Sequence, residues 1–103
     1  MIYKTYTSKH YDREYKKLAK RNLKLNEQIL KVVEQLELNP FKVSLKTHSV
    51  SSRVCKEAYS SSVTKDIRII WIFDKEEKGI LLLSIGGHSG ANRVYKHTIS
   101  ISL

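Results

Sequence analysis

Residues 67–85 read IRIIWIFDKEEKGILLLSI: two apolar runs, Ile67–Phe73 and Ile80–Ile85, with the polar stretch Asp74–Gly79 between them. Short runs rich in β-branched and aromatic residues, bounded by turn formers, read as buried strands. The polar insert reads as the turn of a β-hairpin. In the first run Ile67, Ile69, Trp71 and Phe73 share one face, and Arg68, Ile70 and Ile72 the other. Gly86-Gly87 stops the second run, and a polar loop follows with His88, Asn92, Arg93 and Tyr95. Functional groups often sit on loops held by rigid elements. The hairpin is therefore expected to deliver an imidazole, a guanidinium and a phenol to one rim of a sheet.

Toward the N-terminus the pattern changes period. Met1–Tyr6 alternates as a short strand does, and Thr7-Ser8 offers a helix N-cap. From Lys9, the residues Tyr11, Tyr15, Leu18 and Ala19 line one helical face, and Arg13, Lys16, Lys17, Lys20 and Arg21 the other. Asn22 marks a break. A second helix is expected from Leu25 or Asn26 to Leu38, with Leu25, Ile29, Val32, Val33 and Leu36 on its buried face. Asn39-Pro40 stops it. With almost no linker, the two should form an antiparallel helical hairpin. Phe41–Ser52 reads as a connector whose Leu45 and Val50 plug the core edge. Arg53–Ser60 is moderately strand-like, and Ser60–Ser62 with Thr64-Lys65 suggests a turn. The tail after Tyr95 can add an edge strand or fray. The order β-α-α-β-β-β predicts one α+β domain over residues 1–103: a small antiparallel sheet with an N-terminal helical hairpin packed on one side.

Charge is the most informative bulk property. The 103 residues hold 19 Lys+Arg against 10 Asp+Glu, a formal charge of +9. On so small a body such a field favours a polyanion, of which nucleic acid is the commonest, although an acidic protein would also neutralise it. No run approaches the ~18 apolar residues of a membrane span, and the N-terminus lacks a signal-peptide core. A single cysteine, Cys55, allows no internal disulfide or thiolate zinc site. These features point to a cytoplasmic protein without a membrane partner.

Few residues invite chemistry. Arg68 lies in an apolar strand, where its guanidinium must reach solvent, pair with Asp66 or Glu57, or bind phosphate through its planar fork. His88 follows two glycines and titrates near neutrality, as a proton-transfer group should, yet a lone loop histidine is more often a bystander. His48 has the same standing; His10 and His97 read as surface residues. Tyr95 can cover the core edge, stack on a base or transfer a proton. Asp66 is an acid/base candidate or an Arg68 partner. The histidines show no metal-ligand spacing, and no P-loop or nucleophile elbow is present.

Taken together, YKKLAKRN on the helical hairpin, the NP stop, LKTH, KDIRIIWIF and GGHSGANRVY resemble the RelE/ParE superfamily of type II toxins, particularly its RelE and YafQ-like branches. The likeness runs from Tyr3 to Tyr95. It implies a ribosome-dependent endoribonuclease that cleaves mRNA without a cofactor and is held inactive by a cognate antitoxin. It places the family's core-strand arginine on Arg68, its connector histidine on His48, its acidic residue on Asp66, its G-x-H histidine on His88 and its closing aromatic on Tyr95. Arg93 falls where RelE carries further basic residues. The lysines of RelE's second strand would fall near Tyr59 and Ser61, with Lys56 or Lys65 as substitutes in another register. Lys16 and Lys20 would contact ribosomal RNA. The loop between His88 and Tyr95 is longer than in YafQ-like chains, and Ser62 stands near a further YafQ histidine. The competing expectations are a ParE-like toxin acting on DNA gyrase, and an inactive RNA-binding relic.

Overall fold

Strand β5, Gly79–Gly87, is the spine of a five-stranded sheet ordered β1-β5-β4-β3-β2. The computed structural model describes residues 3–50, 57–74 and 78–87. Along the chain these form β1 (Lys4–Thr7), α1 (Lys9–Ala19), α2 (Leu23–Leu38), a single 3₁₀ turn (Val43–Leu45), β2 (His48–Val50), β3 (Ala58–Ser62), β4 (Ile67–Asp74) and β5. The α+β class and the helical hairpin on one side are as expected. The β2–β3, β3–β4 and β4–β5 pairs are antiparallel, while β1 lies parallel to β5 at the far edge, so the sheet is mixed. Parallel neighbours need a long crossover, and everything between β1 and β5 supplies it.

Three local readings are corrected. The expected connector holds a strand, β2, whose three residues pair with β3. Helix α2 begins two residues early, because Asn22 is its N-cap and accepts a hydrogen bond from the Leu25 amide at 3.0 Å. Ser60–Ser62 is not a turn but the end of β3. The turn falls on residues 63–66, where the Thr64 hydroxyl accepts from the Asp66 and Ile67 amides. Serine is a poor strand former, but here tertiary partners outweigh propensity. The expected C-terminal edge strand lies outside the described residues.

Each sheet face is apolar in its own way. The helices cover Ile69, Trp71, Ile80, Leu82 and Ile85, joined by Tyr11, Ile29, Val32, Leu36 and Leu45. On the opposite face Ala58, Ile70 and Leu83 form a smaller cluster with Val50, Ile72 and Leu81. Strand β5 can serve both because it is bulged. Ile70 pairs with Ser84 and Trp71 with Leu82, so Leu83 is skipped. The extra residue reverses the alternation, bringing Leu82 and Ile85 to the same side.

Ser8 completes that bulge. Its hydroxyl accepts from the Tyr11 amide at 3.0 Å, capping α1, and donates to the Leu83 carbonyl at 2.8 Å. Its amide donates to the Leu82 carbonyl at 3.0 Å. Ser8→Ala therefore removes a cap and strands a carbonyl, and should cost about 1–2 kcal/mol in urea unfolding. Asn22→Ala, which loses only a cap, should cost about 1 kcal/mol.

Tyr11 stacks on Tyr15 and is buried. Burial, with smaller contributions from Tyr15 and Asp12, pushes its phenol well above the ordinary value. A raised folded value means its stabilising contribution is complete below the unfolded value of about 10 and is lost as pH climbs beyond it. Tyr11→Phe should flatten that alkaline loss, measured as denaturation midpoint against pH.

Candidate nucleic-acid site

Arg68 stands at the second position of β4, opposite Ser62 of β3 and Gly86 of β5, on the face away from the helices. Its guanidinium is half-buried and held on two sides. Nε donates to the Ser60 hydroxyl at 2.6 Å. Nη2 donates to the Lys46 carbonyl at 3.1 Å and to the Ser60 carbonyl at 3.2 Å. The His48 ring lies against the same nitrogen, Nδ1 to Nη2 at 3.2 Å. Among the described residues both Nη1 hydrogens remain without a partner, available to an anion. Neither Asp66 nor Glu57 pairs with Arg68 among the described residues: buried Ser60 and a backbone carbonyl do so instead.

His48 is brought here by β2, which pairs it with Ser60 across the ladder. The 3₁₀ turn ends on Lys46 at φ 49°, ψ 41°, and that left-handed step leads the chain into β2. The position of Nδ1 is chemically informative. It lies 3.3 Å from the Lys46 carbonyl as well as 3.2 Å from Arg68. A ring with its proton on Nε2 can accept a share of an Nη2 hydrogen, as a third acceptor beside the two carbonyls, while a ring protonated at Nδ1 can donate to the Lys46 carbonyl. Either placement of the ring proton thus leaves Nδ1 a hydrogen-bond partner.

The remaining candidates are dispersed. Asp66 and Lys65 are exposed in the β3–β4 turn. Lys16 lies on α1 and Lys20 is its C-cap, on the far side of the sheet from Arg68. With Tyr15, Ala19, Leu23 and Asn26 they line an open groove of about 500 Å³. The Tyr15 hydroxyl donates to Asn26 at its base. His10, expected at the surface, is half-buried. Lys56, His88, Arg93 and Tyr95 lie outside the described residues. No three His, Cys, Asp or Glu side chains cluster as a metal site among the described residues. No described helix is long and apolar enough to cross a membrane. Ser60 was missed in the sequence, where three consecutive serines read as a turn. The signal was the arginine itself, which needed a partner on the adjacent strand.

This architecture is that of the RelE- and YafQ-type toxins. A chain of an archaeal RelE–RelB complex from Pyrococcus horikoshii superposes with a TM-score of 0.69 at 17% identity, covering 88% of this chain and all of that one. A metal-bound toxin from Helicobacter pylori gives 0.69 at 26% identity, over 85% of this chain and 96% of its own. The Escherichia coli DinJ–YafQ complex gives 0.64 at 21%, over 84% and 93%. No protein-family model matches the sequence, and no curated protein matches it.

Proposed function

We propose that this chain is one toxin domain, residues 1–103, of a type II toxin–antitoxin pair that cleaves mRNA on the ribosome in the cytoplasm. The observation that carries the reading is the contact of Arg68 and His48, from different strands, with guanidinium hydrogens left for a phosphate. It occurs in a toxin fold carrying a charge of +9.

In the proposed reaction the 2′-hydroxyl of the RNA loses its proton to a base, and the 2′-oxygen attacks the adjacent phosphorus in line. The bond from phosphorus to the 5′-oxygen breaks, and an acid returns a proton to that oxygen. The products are a 2′,3′-cyclic phosphate and a 5′-hydroxyl. Arg68 is assigned the charge developing on the non-bridging oxygens, with Arg93 assisting. His88 is the preferred acid or base, and His48 or Asp66 its complement. His88 follows directly on Gly87, whose ladder partner is Ile67, the neighbour of Arg68. Tyr95 is assigned to stack on a base or orient the phosphate. Lys56, Lys65, Lys16 and Lys20 are assigned to the RNA backbone, and no cofactor is assigned a step. A small acidic antitoxin would neutralise the charge.

If Lys16 and Lys20 contact phosphates, replacing both with alanine should reduce the slope of log K against log salt by about two. RNA-binding titrations across a salt series check this. The toxin role itself is tested by expression in a bacterial host. Growth arrest relieved by co-expressing the adjacent small open reading frame is expected; growth without arrest would sink it. Arrest with inhibited DNA gyrase and intact RNA would move the assignment to the ParE-like reading.

A further inference from the structure

We propose that Thr47, acting through Ser61, is the positioning residue for the Arg68–His48 pair; the inference rests on reading that pair as the reaction centre. A directed chain of hydrogen bonds runs beneath the site. The Trp71 indole Nε1 donates to the Ser61 hydroxyl at 2.8 Å. The Ser61 and Thr47 hydroxyl oxygens lie 2.6 Å apart. Thr47 in turn donates to the Pro40 carbonyl at 2.6 Å. Because the Thr47 proton goes to Pro40, the proton between the two hydroxyls is that of Ser61. Each hydroxyl therefore accepts once and donates once, with nothing left to rotate.

One end of this chain is rigid. Trp71 is buried, stacked on Tyr59 with centroids 4.8 Å apart and edge-on to Phe73 at 4.9 Å. The other end is the segment that carries the site. Thr47 stands between Lys46, whose carbonyl accepts from Arg68, and His48, whose ring meets it. Lys46 holds a positive φ, which a residue with a side chain keeps only when its surroundings impose it. Strand β2 is a three-residue edge strand and holds little by itself. Ser60 and Ser61 thus divide the work. Ser60 grips the arginine on one face of β3, and Ser61 on the other face fixes the turn that brings the histidine to it.

The test compares Thr47→Val, which keeps the shape and loses the hydroxyl, with Thr47→Ser, which keeps the hydroxyl. Thermal melting verifies folding, cleavage kinetics give kcat and KM separately, and imidazole ¹⁵N signals report the His48 tautomer, assigned with His48→Gln. Thr47→Val is expected to lower kcat on the order of 10- to 100-fold with KM little changed. It should also move the His48 signals away from their wild-type positions, and Thr47→Ser should restore both. A folded Thr47→Val with wild-type kcat and unchanged His48 signals would overturn the proposal. Should the wild type cleave no RNA, the catalytic reading fails and the His48 signals alone decide the positioning role by the same criterion. Should Thr47→Val not fold, Trp71→Phe removes the first donor while keeping a ring, and the same shift in His48 is expected; its absence overturns the proposal.

Discussion

Arg68→Ala is expected to reduce RNA cleavage by about 10²- to 10³-fold, the typical loss when one preorganised donor to a developing anion is removed. The effect should fall on kcat. The guanidinium is held in the free protein by Ser60 and Lys46, so little reorganisation is needed when phosphate arrives. Arg68→Lys separates charge from geometry. An ammonium supplies the positive charge, but its three hydrogens cannot satisfy the Ser60 hydroxyl, the Ser60 carbonyl, the Lys46 carbonyl and a phosphate together. Lysine should therefore recover only a small part of the lost rate. Single-turnover cleavage by variants with verified folding checks both. Wild-type rates in Arg68→Ala would remove the arginine from the mechanism.

Trp71→Ala is expected to have the largest effect on stability, about 3–5 kcal/mol. Trp71 is fully buried on the helix-facing side of β4, and its ring touches Phe41, Tyr59 and Phe73. Truncation opens a cavity among side chains that cannot all collapse into it. It also removes the indole donor, leaving the buried Ser61 hydroxyl short of a partner. For a domain of this size the melting temperature should fall by more than about 12 °C. Trp71→Phe keeps most of the packing and should fall much less. Thermal denaturation of the two variants side by side checks the split; similar losses would mean that the hydrogen bond outweighs the volume.

Much of the fold was legible because its elements carry strong, local signals. The 67–85 hairpin and the amphipathic helical pair follow from periodicity, and Asn39-Pro40 ends α2 where a proline must. Less legible were features created by partners distant in sequence. The β5 bulge depends on Ser8, 75 residues from Leu83; nothing in Leu81-Leu82-Leu83 betrays which residue is skipped. Strand β2 has too few residues for alternation to show. Ser60–Ser62 carries turn composition yet lies in the sheet, because Arg68, Trp71 and Thr47 occupy the Ser60 and Ser61 hydroxyls. At the site, Arg68 was identifiable as a polar group that an apolar strand had to explain. That His48, rather than Asp66, meets it required the left-handed turn at Lys46, which composition does not signal.

The central claim is that this chain cleaves RNA through its own proton-transfer groups and Arg68. The most direct measurement is the chemistry of the product ends, after the purified chain acts on mRNA bound to programmed ribosomes in the presence of EDTA. The account predicts cleavage that persists, yielding 2′,3′-cyclic phosphate and 5′-hydroxyl ends and lost in Arg68→Ala. Cleavage abolished by EDTA, or products with 3′-hydroxyl and 5′-phosphate ends, would contradict it.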